Sequence, residues 1–563
     1  MTTTAAPLKA KAGRSLGADL TAGITVALVT IPDAMATAIL AGVSPINGLY
    51  SLMVGMPIAG LLASSQFMVV ATTGAIGVTL GSVLSGIPSD QIASALVTLT
   101  IMVGLFQLFL GVIKAGGLVR YVSNAVLIGF MTGIALNIIL GQLGDFTGYY
   151  SEYSNKVVKA IDLLFHLNEI NVQTTIIGFI TIGLIFGLGR IKRLSNFSMM
   201  LALLGSSVLV YVLGWTHVEV IGDIATIPSG FPRPVLPDLS LIPALLPGAI
   251  AVGIIGLVQA SGVSKSVPNP DGNYPNVSRD FTGQGAGNFV AGFFQGLPVG
   301  GTMGETAVNV KTGARSRLAL LFAAAFVIII VLLFGTQVEN LALPAIAALL
   351  IVAGFESIKI EAIRDIWDTG WAPRIILLFT FTLTLILPVQ WAVLFGVLLA
   401  MGQYIYQSST DLRLVELVEQ PDGNFVERAA PTKLAANSIV VLQPYGSLFF
   451  AGASVLESKL PDPKDAAGAT LIIRLRGLPQ GGSTLVSVVE RYAKKMHDNG
   501  AHLVLAELSD RIYEQLEKTE TIELLGIDRA YRAEPEFFAA TRKAVRDAQK
   551  QIGAPDSKAD ATS

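Results

Sequence analysis

The 563-residue chain contains no cysteine, only four histidines and only 14% charged residues. Without cysteine it can form no disulfide, thiolate metal site or thiol nucleophile. The histidines, His166, His217, His497 and His502, lack the spacing of a metal site, so no metal is expected. No G-x-x-x-x-G-K-[ST] phosphate loop occurs, and no histidine falls in an apolar span to complete a nucleophile–base pair. A primary pump and an enzyme both lack support.

What the chain does have is apolar residues, which make up 52% of it, and an uneven distribution of charge. Residues 1–410 hold 37 Lys, Arg, Asp and Glu residues, whereas the much shorter range 411–563 holds 41. The first part has the composition of a polytopic membrane domain and the second that of a soluble domain. The net charge of −2 gives no reason to expect nucleic acid as a partner. We predict a cytoplasmic N-terminal segment (1–18), a transmembrane domain (19–407), a linker (408–436), a small α/β domain (437–552) and a disordered tail (553–563).

Apolar segments predict fourteen membrane spans. With the N-terminus placed in the cytoplasm, sixteen of the nineteen Lys and Arg residues of residues 1–410 fall on the cytoplasmic side, as the positive-inside rule requires. The chain is therefore predicted to be a multi-pass protein of the cell membrane with both termini in the cytoplasm. The predicted spans are 20–42, 45–62, 72–85, 91–113, 121–142, 173–189, 197–215, 241–258, 282–295, 302–312, 316–335, 341–354, 373–387 and 389–405.

Two of these spans are too short to cross a bilayer as straight helices. Residues 72–85 follow an extended-looking FMVVA, and residues 302–312 follow a proline and two adjacent glycines. Each stands third in a set of seven, and an odd number of spans per half inverts the second copy, so we predict a 7+7 inverted repeat. Half-helix N-termini carry unpaired N–H groups and positive dipole ends, which favour an anion. The pattern predicts a secondary anion transporter.

The candidate anion-binding residues lie at the starts of the two half-helices. Threonines can cap a helix while leaving its backbone N–H groups free for an oxyanion, and glycines permit close approach of the backbone. The plainer alternatives are ordinary N-capping and helix packing through small residues. The predicted anion-binding residues are Thr72, Thr73, Gly74, Gly300, Gly301, Thr302 and Met303.

Two carboxylates are candidates for ion coupling. Asp33 lies about thirteen residues into the first span, near the bilayer midplane, where carboxylates are rare and functional. Glu305 falls in the first turn of the second half-helix, where its charge would repel a bound anion. Either Glu305 is protonated when the anion binds, or a cation lies between them, and both options indicate coupling to H⁺ or Na⁺. The alternative is that both are structural carboxyl groups.

Three stretches resemble the signatures of the sulfate permease (SulP) family of anion transporters. They are GADLTAGITVALVTIPDAMATAILAGVSPINGLYS, GQGAGNFVAGFFQGLPVGGTMGETAVNVKTGARSR and LPAIAALLIVAGFESI. The α/β region is similar in position and layout to the family's STAS domain. The resemblance implies fourteen spans in core and gate bundles, a midplane anion site between helices three and ten, and a homodimer.

The chain departs from the family pattern at three positions. The family's glutamine in the first span is Asp33 here, and a carboxylate common in the eighth span of bacterial members is Gln259. Gln259 can line the site as a neutral donor but cannot titrate. Glu305 stands where many members have arginine or a small residue. We therefore include Asp33, Gln259 and Glu305 in the predicted ion-coupling set.

The STAS-like region departs from its family too. Where such domains carry an acidic turn for phosphorylation or nucleotide contact, this chain has Gly482, and we predict that Ser483 and Thr484 cap the next helix. The region is predicted to be a folding, dimerisation or regulatory module.

Two functions remain open from the sequence. The first is secondary active transport of a small inorganic anion, with sulfate and bicarbonate as leading candidates, by symport with H⁺ or Na⁺. The second is a non-transporting anion receptor that signals through the STAS-like domain, which the missing acid at Gln259 favours slightly. No cofactor beyond the coupling ion is expected.

Overall fold

The computed structural model of the chain describes residues 16–117, 123–153, 155–191, 194–224, 230–478 and 481–552. The described residues form two compact units, which divide after residue 400. The predicted tail, 553–563, and residues 1–15 lie outside the described residues. The predicted N-terminal segment overlaps the first helix, which begins at Leu16.

The first unit is helical, and helices form in all fourteen predicted spans. A π-helical turn, Ser51–Gly55, joins the second and third helices. The helices are α1 (Leu16–Leu40), α2 (Pro45–Tyr50), α3 (Met56–Leu62), α4 (Gly74–Leu84), α5 (Ile92–Val112), α6 (Asn124–Gly141), α7 (Leu143–Thr147), α8 (Lys156–Phe165), α9 (Val172–Gly189), α10 (Ser198–Leu213), α11 (Ile221–Ile224), α12 (Ile242–Ser266), α13 (Val277–Phe293), α14 (Met303–Lys311), α15 (Leu318–Val338), α16 (Leu343–Ser357), α17 (Ile360–Thr369), α18 (Trp371–Ile386) and α19 (Val389–Thr410).

The lengths of these helices agree with a membrane domain that contains two half-helices. Eight helical stretches among the described residues are long and apolar enough to cross a membrane. The two predicted half-helices, α4 and α14, have only 11 and 9 residues. Each follows a three-residue strand, β1 (Val69–Ala71) before α4 and β2 (Gly300–Thr302) before α14. The extended FMVVA segment is thus confirmed as the entry to the first half-helix.

Helix packing shows the inverted repeat directly. The first helix of one half, α1, packs against α14 and α15, which are the third and fourth spans of the other half. The first helix of the second half, α12, packs reciprocally against α4 and α5. A second reciprocal pair joins α6 to α18 and α16 to α9. This crossed pattern divides the unit into a core bundle built on α1, α12 and the half-helices, and a gate bundle built on α6, α9, α16 and α18.

Buried aspartates tie loops to helices at one end of the core bundle. The Asp280 carboxylate accepts hydrogen bonds from the backbone N–H groups of Ser64 and Ser65, at 2.7 and 2.8 Å, and from the Ser264 hydroxyl at 2.6 Å. Asp19 does the same for the loop after α14, accepting from the N–H groups of Arg315 and Ser316. Each carboxylate satisfies backbone N–H groups of a loop, which lie outside the regular hydrogen bonding of helices and strands.

Replacing Asp280 with asparagine is expected to destabilise the protein. The amide can no longer accept hydrogen bonds at both positions, and loss of a buried, charge-assisted bond costs about 2 kcal/mol. The midpoint of thermal unfolding in detergent measures the effect, with the exposed Asp90→Asn as the matched control. Equal midpoints for the two variants would show that Asp280 is not an anchor.

The second unit is a six-stranded mixed sheet with the strand order β4-β3-β5-β6-β7-β8. Strands β5 to β8 are parallel, while β3 is antiparallel to both β4 and β5. The helices α20 to α23 contribute to one core, and α24 contributes Ala544 to a second, smaller one. The elements are β3 (Arg413–Glu419), β4 (Phe425–Ala429), β5 (Ile439–Tyr445), α20 (Phe450–Lys459), β6 (Thr470–Arg474), α21 (Ser483–Asp498), β7 (His502–Leu508), α22 (Asp510–Lys518), α23 (Thr521–Leu525), β8 (Ala530–Arg532) and α24 (Ala539–Ile552).

Two predictions for this unit differ from the structure. The range 408–436, predicted as a linker, contains β3 and β4, which extend the sheet. In β3, Val415 and Leu417 are buried, but the charged residues Arg413, Glu416 and Glu419 recur every third position, so the segment lacks the two-residue alternation that predicts a strand. Helix α21 begins at Ser483, and Gly482 is its N-cap with no side-chain hydrogen bond, so neither Ser483 nor Thr484 caps it as predicted.

Candidate functional site

A short β-ribbon in the core bundle brings the two half-helices together. Strands β1 and β2 pair antiparallel, with Ala71 opposite Gly300 and Val69 opposite Thr302. Because the strands run in opposite directions, α4 and α14 leave the ribbon from opposite ends, and each points its N-terminus back towards it. Both positive helix ends therefore converge on one small region, as the sequence predicts.

At the start of α4, the threonines present both capping and unpaired groups. The Thr73 hydroxyl oxygen accepts a hydrogen bond from the Ile76 N–H at 3.3 Å, so the expected N-cap is present. The same hydroxyl donates to Oε1 of Gln259 at 3.2 Å. Thr72 is buried, and its hydroxyl has no partner among the described residues. At the start of α4, the Thr72 hydroxyl therefore has no partner among the described residues, whereas the Thr73 hydroxyl has two.

The start of α14 is held by its strand rather than by a side-chain cap. Thr302 is the N-cap residue, but its hydroxyl donates to the Val69 carbonyl at 3.2 Å instead of capping the helix. Met303 is 43% exposed, whereas Glu305 and Thr306 on the same helix are buried. The first turn of α14 is therefore reachable from the space beside the ribbon.

The glycines of β2 allow α12 to approach the ribbon closely. A Cβ atom on Gly301 would lie 2.7 Å from Cα of Ala260, and one on Gly300 would lie 3.0 Å from Oε1 of Gln259. These distances show tight packing of the ribbon against α12, as in the alternative of helix packing through small residues, and a role of the glycines in anion binding stays a prediction. Gln259 thus lies between the two half-helices, in contact with Thr73 on one and beside Gly300 on the other.

The carboxyl groups of Asp33 and Glu305 are neighbours. Asp33 lies on α1, just after Pro32, and interacts directly with Glu305 on α14. Glu305 is buried, and its side chain also interacts with Thr302 and with its own backbone N–H. Glu305 therefore lies at the positive end of α14, in its first turn.

Asp33 and Gln259 occupy equivalent positions in the inverted repeat. Helices α1 and α12 are the first helices of the two halves, and Asp33 and Gln259 each lie seven residues before the last residue of their helix, Leu40 and Ser266. Asp33 faces the half-helix α14, and Gln259 faces the half-helix α4. One half of the repeat thus carries a carboxylate where the other carries an amide.

The sequence analysis missed a buried amide network behind the ribbon. The Asn288 side chain accepts from the N–H of Val299 at 2.7 Å and donates to its carbonyl at 3.0 Å and to Oε1 of Gln107 at 2.8 Å. Gln284, one turn earlier on α13, is fully buried with no partner for its amide among the described residues. Asp280, Gln284 and Asn288 recur every four residues, and this polar stripe on an apolar span is the signal that could have revealed the network.

An apolar cavity of about 450 Å³ lies between α6 and α12 and reaches Gln259. Its walls include Phe130, Met131, Ile254 and Trp391. Nearby, Ile138 of α6 contacts the start of α4, where a Cβ on Gly74 would lie 2.7 Å from Cδ1 of Ile138. The gate bundle therefore touches the candidate site directly. No group of three or more His, Asp or Glu residues that could hold a metal occurs in the part of the chain that the structure describes.

Comparisons with known proteins agree on both units. Residues 16–380 match the model of the Sulfate permease family, and residues 430–536 match that of the STAS domain. The putative sulfate transporter YvdB of Bacillus subtilis is 26% identical over 514 residues, which cover 90% of this chain and 94% of the relative. The bicarbonate transporter BicA of Synechocystis is 23% identical over 97% of this chain and 96% of its own length.

Solved structures share the fold. The murine Solute Carrier 26 family member A9 anion transporter, in its inward-facing state, superposes with a TM-score of 0.84 at 18% identity, covering 96% of this chain and 93% of that one. The family match spans well over half of the chain and includes α1, α12 and both half-helices. The chain therefore belongs to the Sulfate permease family, and its second unit contains a STAS domain.

Proposed function

We propose that the protein is a secondary active transporter that moves a small inorganic anion across the cell membrane. Sulfate and bicarbonate are the leading candidates, since relatives named for each match nearly the whole chain. The observation that carries the proposal is the ribbon that turns the N-termini of α4 and α14 towards one region. The family is one of transporters, and the protein is not an enzyme.

The anion binds, in this proposal, between the half-helix N-termini. The first-turn N–H groups of α4 and α14 supply the positive dipole ends, and Thr72, Thr73 and Gln259 supply neutral donors. Such a site recognises charge and size, and it suits a compact oxyanion. The glycines of β2 keep the backbone of α12 close, so that Gln259 can reach the anion.

Coupling is assigned to Asp33 and Glu305. An ionised Glu305 competes with the anion for the N-terminus of α14, because its carboxylate interacts with its own backbone N–H in the first turn and adds a negative charge there. Protonation of the Asp33–Glu305 pair, or a Na⁺ ion held between the two carboxylates, removes this competition. Anion and cation therefore bind together, which makes the transporter a symporter.

Transport itself requires the site to face each side in turn. We propose that the core bundle, which carries both half-helices, moves against the gate bundle, which touches the site through α6. The distribution of Lys and Arg supports cytoplasmic termini, and the family resemblance supports a homodimer in which the STAS domain regulates or assembles the transporter.

Uptake of labelled sulfate and, separately, labelled bicarbonate into proteoliposomes tests the proposal. We expect one anion to accumulate when a pH gradient or a Na⁺ gradient is imposed, and protein-free liposomes are the control. Binding of either anion without flux under any gradient would instead support the receptor function and overturn the transporter.

Replacing Thr73 with valine is expected to weaken anion binding. Valine keeps the shape of threonine but removes the hydroxyl that caps α4 and contacts Gln259. Loss of one hydrogen bond to a charged ligand costs about 1.5–3 kcal/mol, so KM should rise by roughly tenfold or more. Thr79→Val is the matched control, because the Thr79 hydroxyl only donates to the Ala75 carbonyl inside the same helix. A similar KM for both variants would remove Thr73 from the site.

A further inference from the structure

A second cavity, of about 470 Å³, lies at the end of the membrane unit where α1 and α4 finish. One wall is formed by Leu40 and Ser82, at the carboxyl ends of α1 and α4. The other wall is formed by Asn137 of α6, Lys156 of α8 and Thr384 of α18. The cavity therefore separates the core bundle from the gate bundle. We call it the distal cavity, because it lies opposite the end where α1 begins.

Lys156 is the only charged residue among the described residues that line the distal cavity. It is the first residue of α8 and packs against the end of α6, where a Cβ on Gly141 would lie 3.4 Å from its Nζ. No carboxylate or hydrogen-bond acceptor of the described residues pairs with this Nζ. Burial and, to a smaller extent, the neighbouring Lys159 lower the pKa of Lys156 to about 8, so it remains mostly protonated at neutral pH.

The other polar groups of the far wall are already occupied. Asn137 donates to the Thr384 carbonyl at 2.7 Å, and Asn155 donates to the Leu385 carbonyl at 3.4 Å. The unpaired ammonium of Lys156 is therefore the group left to bind a ligand. Lys156 is partly buried. A partly buried cation without a partner is unfavourable, and a small anion in the cavity would offset that cost.

The distal cavity also lies close to the candidate anion site along α4. Its deepest residue on that helix is Val78, four residues after Gly74, where the half-helix begins. At about 1.5 Å per residue, this places the cavity roughly 6 Å along the helix from the predicted site. An anion released from the half-helices towards this side would reach Lys156 next.

We propose that the distal cavity is a second binding subsite for small inorganic anions, with Lys156 as its charged ligand. Its part in transport rests on the proposed function, because it would collect anions on one side before they reach the half-helices. The binding itself does not depend on transport. With cytoplasmic termini, the distal cavity faces the outside of the cell.

The absence of cysteine allows the charge of the cavity to be measured without background. Ser85, which is exposed and lines the distal cavity, is replaced with cysteine in the full-length protein. Rates of modification by an anionic and a cationic methanethiosulfonate reagent are then compared. Lys156→Gln should lower the ratio of the anionic to the cationic modification rate by roughly tenfold. The positive charge of Lys156 attracts the anionic reagent and repels the cationic one, so its removal changes the two rates in opposite directions. Lys156→Arg should keep the ratio, and Lys159→Gln, outside the cavity lining, should change it much less.

Protection by anions then tests binding. Added sulfate or bicarbonate should slow the anionic reagent at Ser85→Cys, and the slowing should disappear with Lys156→Gln. An unchanged ratio, or no slowing by either anion, would overturn the subsite and leave Lys156 as a counter-charge for the carboxyl ends of α1 and α4. If the wild type shows no uptake of any anion but the ratio and protection behave as expected, the transport proposal fails and the subsite stands.

Discussion

Glu305→Gln is expected to abolish gradient-driven accumulation of the anion while exchange of the anion across the membrane continues. Glutamine cannot release a proton or hold Na⁺ as a carboxylate does, so it mimics the protonated state permanently. The N-terminus of α14 would then accept the anion whatever the gradient. A difference of one pH unit provides about 1.4 kcal/mol per proton, enough for roughly tenfold accumulation, and the variant should lose all of it.

The measurement is the ratio of internal to external labelled anion at steady state, with and without a pH or Na⁺ gradient. Asp33→Asn should reproduce the loss, because Asp33 interacts directly with Glu305. Glu361→Gln, an exposed acid on the amphipathic helix α17, is the matched control and should accumulate like the wild type. Equilibrium exchange, with equal concentrations of anion on both sides and label on one side only, separates lost coupling from lost folding.

Either of two results would contradict this assignment. Full gradient-dependent accumulation by Glu305→Gln would show that the carboxyl group is structural. Loss of exchange as well as accumulation would show that Glu305 is needed for binding or folding, and that coupling has not been isolated.

The two halves of the repeat carry different polar groups at the site. Asp33 and Gln259 are equivalent in position, and each faces the half-helix that belongs to the other half of the repeat. The resemblance to the family suggests a carboxylate on the eighth span, and this chain has an amide there instead. The carboxylate lies on the first span, paired with a second one on the tenth. Glu305→Gln and Asp33→Asn therefore test whether ion coupling in this chain depends on the carboxylates of the first and tenth spans instead of one on the eighth span.

Much of the fold could be predicted because it depends on local composition. Apolar runs of the right length mark the spans, and a proline with two glycines marks the interrupted one at 302–312. The strand β3 was not predicted because its charged residues recur every third position, at Arg413, Glu416 and Glu419, instead of alternating with apolar ones. Hydropathy averages over a window and cannot separate such a strand from a polar linker.

Contacts between spans could not be predicted. The sequence indicates that Asp33 and Glu305 are unusual, but nothing local shows that α1 packs against α14. The contact between Thr73 and Gln259 likewise depends on how closely α12 approaches the ribbon. That approach is permitted by Gly300 and Gly301, whose effect is visible only once the neighbouring backbone is in place. The roles of the predicted site residues remain predictions until the variants are measured.

Gly301→Val is expected to slow transport strongly by displacing the ribbon. The first added carbon would lie 2.7 Å from Cα of Ala260 and 2.8 Å from Sδ of Met68. The methionine side chain can move, but the backbone of α12 cannot do so without shifting Gln259 and the half-helix starts. Overpacking of this kind costs about 1–3 kcal/mol, and a barrier raised by that amount slows transport by roughly 5-fold to 150-fold.

The initial rate of anion uptake per folded protein measures this effect. Gly301→Ala should give a smaller defect than valine, because it adds only the first carbon. Gly262→Ala, two residues after Ala260 on the same helix, is the matched control, since a Cβ there meets nothing within 4 Å. A monodisperse size-exclusion profile with lost uptake would place the defect in the site. Normal uptake by Gly301→Val would show that α12 does not need to approach the ribbon, and the anion site between the half-helices would have to be abandoned.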